Sequence, residues 1–216
     1  MKFKSLLLLL TISISLHSQE PIIISHYVFP EFQQGVVLLK SGVNYNAKLN
    51  YNIATEEMVF DDKGTILAIG GETLAQIDTV TISSDKFIRL NNKFVKILAE
   101  DQDIDLFVEY KCRILPPSTP VGFGGTSQLT SSTSYSSILL DGQMYSLKLP
   151  EDYEIIPSNI YWLNRNGEMK SFTSIRQLKR IYRDKKKVIN DYLKENEVKL
   201  EDVKSIEDTI IYMENN

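Results

Sequence analysis

The sequence predicts an α+β chain: an antiparallel β-meander (open sheet, sandwich or partial barrel) followed by a C-terminal bundle of two or three short amphipathic helices. Three observations carry this. In residues 43–53, Val43, Tyr45, Ala47, Leu49, Tyr51 and Ile53 alternate without a break with Asn44, Asn46, Lys48, Asn50 and Asn52. A period of two places each set on one face of a strand. Around it, short apolar runs are separated by turn residues, with no helical stretch long enough to carry a parallel crossover. After Phe172 the apolar residues change to helical spacing.

Taken in order, residues 1–18 read as a secretory signal. Lys2 and Lys4 precede an apolar stretch over residues 5–16, and Ser18 is a small residue at the expected cleavage point. The stretch is shorter than the roughly 20 residues a spanning helix needs. Cleavage there leaves Gln19 at the N-terminus, and without a cysteine beside it the lipoprotein route is closed. The expectation is an exported protein, periplasmic or associated with the outer envelope, with no transmembrane segment in the mature chain.

Residues 19–172 form the expected β-rich domain. Strands are expected at 36–40, 43–53, 57–60, 65–69, 77–83, 86–90, 94–98, 104–114, 143–149, 160–164 and 168–172. Ser41-Gly42, Asp61-Asp62-Lys63-Gly64, Asn91-Asn92 and Asn164-Arg165-Asn166-Gly167 supply turns between them. The alternation assigns Tyr45, Ala47, Leu49, Tyr51, Leu106, Val108 and Tyr110 to the core. It turns Asn44, Asn46, Asn50 and Glu109 toward solvent or a polar groove. Cys112 continues the alternating run of Ile104, Leu106, Val108 and Tyr110 and reads as a small buried hydrophobe. Residues 115–137 break the pattern with Pro116-Pro117, Pro120, Gly122-Phe123-Gly124-Gly125 and a Ser/Thr run. Such a long stretch without apolar periodicity is either functional or a flexible insertion.

Residues 173–216 form the helical segment, expected to pack on the β domain. Ser174 and Gln177 have capping-box spacing. Ile175, Leu178, Ile181, Tyr182, Val188, Ile189, Tyr192 and Leu193 form the docking stripe, with Arg183-Asp184 as a break and Asn196 as the end. Ser205 and Asp208 are expected to cap a last helix carrying Ile206, Ile210, Ile211 and Met213. Charge is divided: residues 171–190 hold seven basic and one acidic side chain, residues 191–216 three basic and eight acidic. Blocks of opposite sign this close can pair if the helices fold back antiparallel. Otherwise the basic block is a solvated face, or one that meets an acidic partner or anionic lipid.

Composition removes several chemistries. The 216 residues carry a formal charge of −4, one cysteine and two histidines. One cysteine excludes a disulfide framework and multi-cysteine metal sites. The acidic balance argues against nucleic acid as a partner. His26, beside Tyr27, is the one histidine beyond the signal, and no G-x-S-x-G elbow accompanies it. Gly122-Phe123-Gly124-Gly125 lacks the lysine of a phosphate-binding loop. Asp101, Asp103 and Asp105 alternate like calcium ligands, but Leu106 stands where the loop glycine belongs and Cys112 where the final glutamate belongs. They read as a charged hairpin turn. No cofactor, metal or catalytic group is expected.

Residues 35–42 (Gly-Val-Val-Leu-Leu-Lys-Ser-Gly), Tyr45, Leu49-Asn50-Tyr51-Asn52, Tyr110-Lys111-Cys112-Arg113, the Pro/Gly/Ser/Thr loop and the Tyr182, Lys185–Ile189, Tyr192–Asn196 pattern resemble a group of small exported proteins of Bacteroidota-type bacteria. That group has no established activity, so the resemblance implies an envelope location and nothing catalytic. In such bacteria short Asp-Thr-apolar sites can be O-glycosylated, which singles out Thr79 and Thr209.

The expected function is that of a non-enzymatic envelope protein, a protein-interaction or accessory module. Phe123 of the loop and Arg176, Lys179, Arg180 and Arg183 of the tail are its expected partner contacts, with another envelope protein favoured over an anionic membrane surface. The alternative is a periplasmic small-molecule or glycan binder, with Tyr153, Tyr161 and Trp162 as stacking surfaces.

Overall fold

The computed structural model describes residues 26–101, 104–115, 119–121, 125–127 and 154–216. The expected export signal, the expected strand at 143–149, Phe123 and Tyr153 lie outside the described residues. Hairpin chemistry organises the first half. The strands are β1 (Gln33–Leu39), β2 (Asn44–Asn52), β3 (Glu57–Asp62) and β4 (Thr65–Ala68), then helix α1 (Gly71–Gln76) and β5 (Ile77–Ile82), β6 (Asp85–Leu90), β7 (Lys93–Glu100) and β8 (Ile104–Glu109). Three of the turns use consecutive left-handed residues, Lys63-Gly64, Asn91-Asn92 and Asn166-Gly167, all with positive φ. This is the geometry whose twist matches paired strands.

Short strands β9 (Cys112–Leu115), β10 (Thr119–Val121), β11 (Gly125–Ser127) and β12 (Glu154–Pro157) follow, then β13 (Ile160–Arg165) and β14 (Glu168–Phe172). Ten strands form one open antiparallel sheet in the order β14-β13-β8-β7-β6-β5-β1-β2-β3-β4. The β10–β11 and β12–β9 pairs stand apart from it, so part of the expected structureless loop is a small hairpin.

Two features depart from a simple meander. The expected strand 104–114 is split at Tyr110-Lys111 into β8 and β9, which belong to different sheets. And β5 pairs not with β4 but with β1, so residues 69–76 run from the sheet's edge to its middle. Ile69 and the α1 residue Leu74 pack on the core along this crossing, and Lys40 holds it by donating from N and Nζ to Gln76 and Ala75 carbonyls at 2.8 and 2.9 Å.

The sheet is also curled. Tyr51 of β2 and Phe87 of β6 stack with ring centroids 6.1 Å apart, although β1 and β5 lie between their strands. Three strand spacings on a flat sheet amount to roughly 14 Å. The curl encloses one core, of Val37, Leu39, Leu49, Tyr51, Met58, Ile77, Val80, Ile82, Phe87 and Phe94. The other core lies between β8, β13, β14 and the helices, built from Ile104, Leu106, Val108, Tyr161, Leu163, Phe172, Leu178, Tyr182, Ile189, Ile206, Ile210 and Met213. Tyr110 touches both.

The helices are α2 (Ile175–Ile181), α3 (Lys186–Glu195) and α4 (Val203–Asn215). Ser174 Oγ accepts from Gln177 N at 3.3 Å as the capping spacing implies, while Gln177 Oε1 accepts from Thr173 N at 2.7 Å. The break at Arg183-Asp184 has a cause. Asp184 is gripped in a bidentate pair by Arg165 of β13 at 2.9 and 3.1 Å, and the same guanidinium reaches Glu214 of α4 at 3.1 Å. The last helix begins earlier than expected: Asp202 caps it, its Oδ1 accepting from Lys204 N and Ser205 N at 3.1 and 3.2 Å. Ile211, expected on its apolar stripe, is exposed, whereas Ile206, Ile210 and Met213 are buried.

The strand faces need three corrections, at Tyr45, Asn50 and Glu109. Leu49, Tyr51, Leu106 and Val108 are fully buried as expected and Ala47 and Tyr110 are half-buried, but Tyr45 is 56% exposed. Strand β3 pairs only with Lys48–Asn52 of β2, so the tip carrying Tyr45 has a neighbour on one side alone. Asn50 and Glu109, expected to face outward, are buried. Residues 26–31 run irregularly against β2, with Tyr27 bridged to Asn52, and the Asn50 carboxamide binds the Phe29 backbone. It accepts from Phe29 N at 3.1 Å and donates to Phe29 O at 2.9 Å. Glu109 is held by Trp162 Nε1, which donates to Oε2 at 3.1 Å.

Candidate functional site

Three places concentrate polar chemistry. The first is where the rim of the curled sheet meets itself. Asn52 Oδ1 accepts from Ala54 N and Thr55 N at 2.9 and 3.2 Å, an Asx turn that closes the β2–β3 hairpin. The turn leaves Glu56 in the left-handed region at φ 59°, where a side chain costs about 1 kcal/mol or more. The Glu56 carboxylate bridges two other elements from there. Lys93 at the start of β7 lies 2.6 Å from Oε2, and Lys111, after β8, lies 3.0 Å from Oε1 and 3.8 Å from Glu109 Oε1. Burial pushes the Glu56 carboxyl up, but its hydrogen bonds with Lys93 and Lys111 outweigh that and hold it below the usual range.

Cys112 adjoins this rim, its Sγ 3.5 Å from Ile53 O. Burial, with Glu56 nearby, pushes its thiol up to about 11. The thiolate needed for nucleophilic or redox chemistry is therefore disfavoured at neutral pH. The half-buried His26 leans on Tyr27 with ring centroids 4.2 Å apart, and burial lowers its pKa, so the ring is neutral at pH 7. Among the described residues, neither faces a nucleophile–base partner. The rim is an ionic clasp.

The second place is an open groove of about 1010 Å³ lined by Lys40, Leu74, Asp78, Thr79, Ile88 and Arg89 among others, with no aromatic ring in its lining. Its polar groups already serve each other. Arg89 donates to Asn92 O at 3.0 Å and Thr79 Oγ1 to Asp78 at 3.0 Å. Thr79 is half-buried here, whereas Thr209 is buried in α4 with its hydroxyl donated to Ser205 O at 2.7 Å, leaving it no surface for a glycan. Of the aromatic residues considered for stacking, the two that are described, Tyr161 and Trp162, are engaged elsewhere. Tyr161 is buried against Phe172 at 5.2 Å and donates its hydroxyl to Leu200 O at 2.7 Å, and Trp162 serves Glu109.

The third place is the basic block. Arg176, Lys179, Arg180 and Arg183 are all exposed, together with Lys186 and Lys187. Among the described residues none of these six has an ion pair. The other cations of the C-terminal part are engaged: Arg165 with Asp184 and Glu214, Lys170 with Glu168, Lys194 with Asp191, Lys199 with Glu197, and Lys204 with Glu207 and Asp208. Lys185 donates to the Met213 carbonyl. The acidic block thus does not neutralise the basic one: Asp191, Glu197, Glu207 and Asp208 pair with nearby lysines of their own block, and Glu214 with Arg165. The fold brings four of the five sequence-selected contact residues to one helix and the turn after it.

Sequence reading missed the clasp. Its one visible signal was Ala54-Thr55-Glu56-Glu57 at a hairpin end, where a glycine or asparagine is the ordinary left-handed residue.

Asp105 of the alternating aspartates accepts from Asn164 Nδ2 at 2.9 Å across the β8–β13 pair. No helix among the described residues is long and apolar enough to cross a membrane. In comparisons with known proteins, no family model, curated protein or solved structure matches this chain.

Proposed function

We propose that this chain is a non-enzymatic exported protein of the cell envelope that acts as an interaction module, presenting the basic face of α2 to an acidic protein. The observation that carries the reading is the block Arg176, Lys179, Arg180 and Arg183, which with Lys186 and Lys187 has no ion pair among the described residues, whereas Arg165, Lys170, Lys194, Lys199 and Lys204 are paired. Cations without a partner on a packed helix break no existing ion pair when they meet an opposite charge, and they steer association. The lysine-flanked apolar stretch before Ser18 and the resemblance to small exported proteins support the envelope location. The open groove, without aromatic lining and with Lys40, Thr79 and Arg89 engaged by neighbouring groups, does not favour the small-molecule or glycan reading.

The test uses tagged full chain against envelope extract. Lys179→Glu with Arg183→Glu is expected to abolish recovery of the wild-type partners while changing stability by less than about 0.5 kcal/mol, as exposed substitutions do. A separate deletion of residues 122–134 tests Phe123. Unchanged recovery from both variants removes the interaction role from this face and this loop. Recovery of anionic vesicles in place of protein assigns the face to a membrane.

A further inference from the structure

The sheet ends in two edges, and they differ. The four residues of β4 are all half-buried, whereas Glu168, Met169, Lys170 and Ser171 of β14 are all exposed. The Asn166-Gly167 turn determines which backbone groups that edge offers. Both turn residues have positive φ, 53° and 79°, which makes a two-residue hairpin loop. Its flanking pair, Arg165 and Glu168, is then a hydrogen-bonded pair, and the bonded pairs recur every second residue at Leu163–Lys170 and Tyr161–Phe172. The N–H and C=O groups of Met169 and Ser171 therefore point away from β13, along the open edge. The next outward N–H, that of Thr173, is taken by Gln177 Oε1 at 2.7 Å. The row is closed there by the first turn of α2, where Arg176 stands exposed, with Lys179, Arg180 and Arg183 following.

From this juxtaposition we infer that β14 receives an added strand: an extended, acidic segment of the partner protein pairs with Met169 and Ser171 and carries its carboxylates on to the α2 cations. The inference rests on the interaction reading above and specifies how the partner binds. Charge complementarity selects the occupant. Residues 168–187 hold eight basic and two acidic side chains, so an acidic strand is attracted and a basic one repelled. Main-chain bonds to the edge supply affinity, and the flanking cations supply direction. Edge strands are normally guarded by proline, a bulge, burial or charge. Among the described residues β14 has no proline, bulge or burial, and its one guard is charge: Glu168 and Lys170, paired 2.8 Å apart.

The probe is a short fluorescent peptide of alternating glutamate and valine, read by anisotropy with the full chain. Controls are its lysine–valine counterpart and the same acidic peptide with alternate backbone amides N-methylated. Met169→Pro deletes an outward N–H without touching a bond to β13. It is expected to weaken binding about tenfold or more, the equivalent of about 1.4 kcal/mol. N-methylation is expected to do the same on wild-type protein, so the result does not depend on the variant folding. Hydrogen exchange at Met169 and Ser171 is expected to slow with peptide bound. If Lys179→Glu/Arg183→Glu abolishes binding but Met169→Pro and N-methylation do not, strand addition is wrong and the acidic-partner reading stands. If the charge reversal has no effect while the backbone changes do, the acidic assignment is wrong. Binding that none of them alters overturns both.

Discussion

The two cores of this protein cover their sheet faces by different means. Over β8, β13 and β14 the cover is three helices, whose backbone hydrogen bonds are satisfied before they arrive. The few polar groups carried inside have partners. Tyr161 reaches Leu200 O, Thr209 bonds to its own helix, and Tyr182 donates to Glu214. In the curled half the cover is the sheet itself and the irregular segment 26–31. An irregular segment brings unpaired peptide groups with it, so buried side chains must serve them. Asn50 serves Phe29 and Asn52 serves the β2–β3 turn, and both are almost wholly buried. Among the described residues the hydroxyls of Tyr51 and Thr55 and His26 Nε2 are left without partners in this half, against Asn164 Oδ1 alone on β13. Helical cover asks only for apolar periodicity, while irregular cover asks for particular polar residues at particular places.

The most severe way to break this comparison is to remove one large ring from each core. Phe87 meets Phe29, Tyr51 and Tyr110 at 6.1–6.5 Å, and Phe172 stacks on Tyr161 at 5.2 Å. Each change to alanine is expected to cost about 3–5 kcal/mol. What distinguishes the halves is how that loss is shared. Tyr110 belongs to both cores, so both variants are expected to unfold in one transition. Trp162, on β13, reports the helix-backed half by fluorescence, and circular dichroism reports the whole. Urea curves that coincide for Phe172→Ala but separate for Phe87→Ala would mean the curled half melts by itself.

A smaller effect sharpens the argument about polar cover. Asn50→Ala leaves the Phe29 N–H and C=O without partners, at an expected cost of about 1–3 kcal/mol. Asn46→Ala, on the same strand and the same parity but exposed, is expected to cost less than about 0.5 kcal/mol. Hydrogen exchange at Val28, whose N–H donates to Tyr51 O at 3.0 Å, is expected to quicken in the first variant only. Equal costs at the two positions would mean that the 26–31 segment is not held by Asn50.

This contrast also explains how much could be read from the sequence. The helix-backed half was legible because period and caps are local. Leu178 and Ile189 lie where the spacing puts them, and Ser174 caps as its spacing to Gln177 implies. In the curled half the strands were legible and their surroundings were not. Nothing local to residues 43–53 says that β3 stops short of Tyr45 or that residues 26–31 return to bury Asn50. The crossing from β4 to β5 and the ionic clasp join residues far apart in the chain, Glu56 with Lys93 and Lys111, so no window of sequence contains them. The basic face was visible as composition. That it stays unpaired required knowing where the acidic block goes: Asp191, Glu197, Glu207 and Asp208 pair with that block's own lysines and Glu214 with Arg165.

The smallest expected effect lies at the clasp that fastens the curled rim. Glu56→Gly sets two terms of similar size against each other. Relief of the left-handed backbone gains about 1 kcal/mol. Loss of the partly exposed pairs to Lys93 and Lys111 costs up to about 1 kcal/mol each. The net change at pH 7 is therefore expected to be within about 1 kcal/mol, and the diagnostic is its pH dependence. Glu56 titrates below its ordinary value near 4.5 in the folded chain, because the two lysines favour its ionised form. A depressed carboxyl contributes stability that is complete above the unfolded value and is lost as pH falls through the folded one. Glu56→Gln keeps the left-handed backbone and removes the charge, so it isolates that contribution. The difference between wild type and Glu56→Gln, measured by urea unfolding, is expected to be constant from pH 7 down to about pH 5.5 and to shrink below about pH 4.5. A difference that stays flat to pH 3 would mean that the clasp is held by its turn and not by its charges. In that case the strained conformation at Glu56 would owe nothing to Lys93 and Lys111.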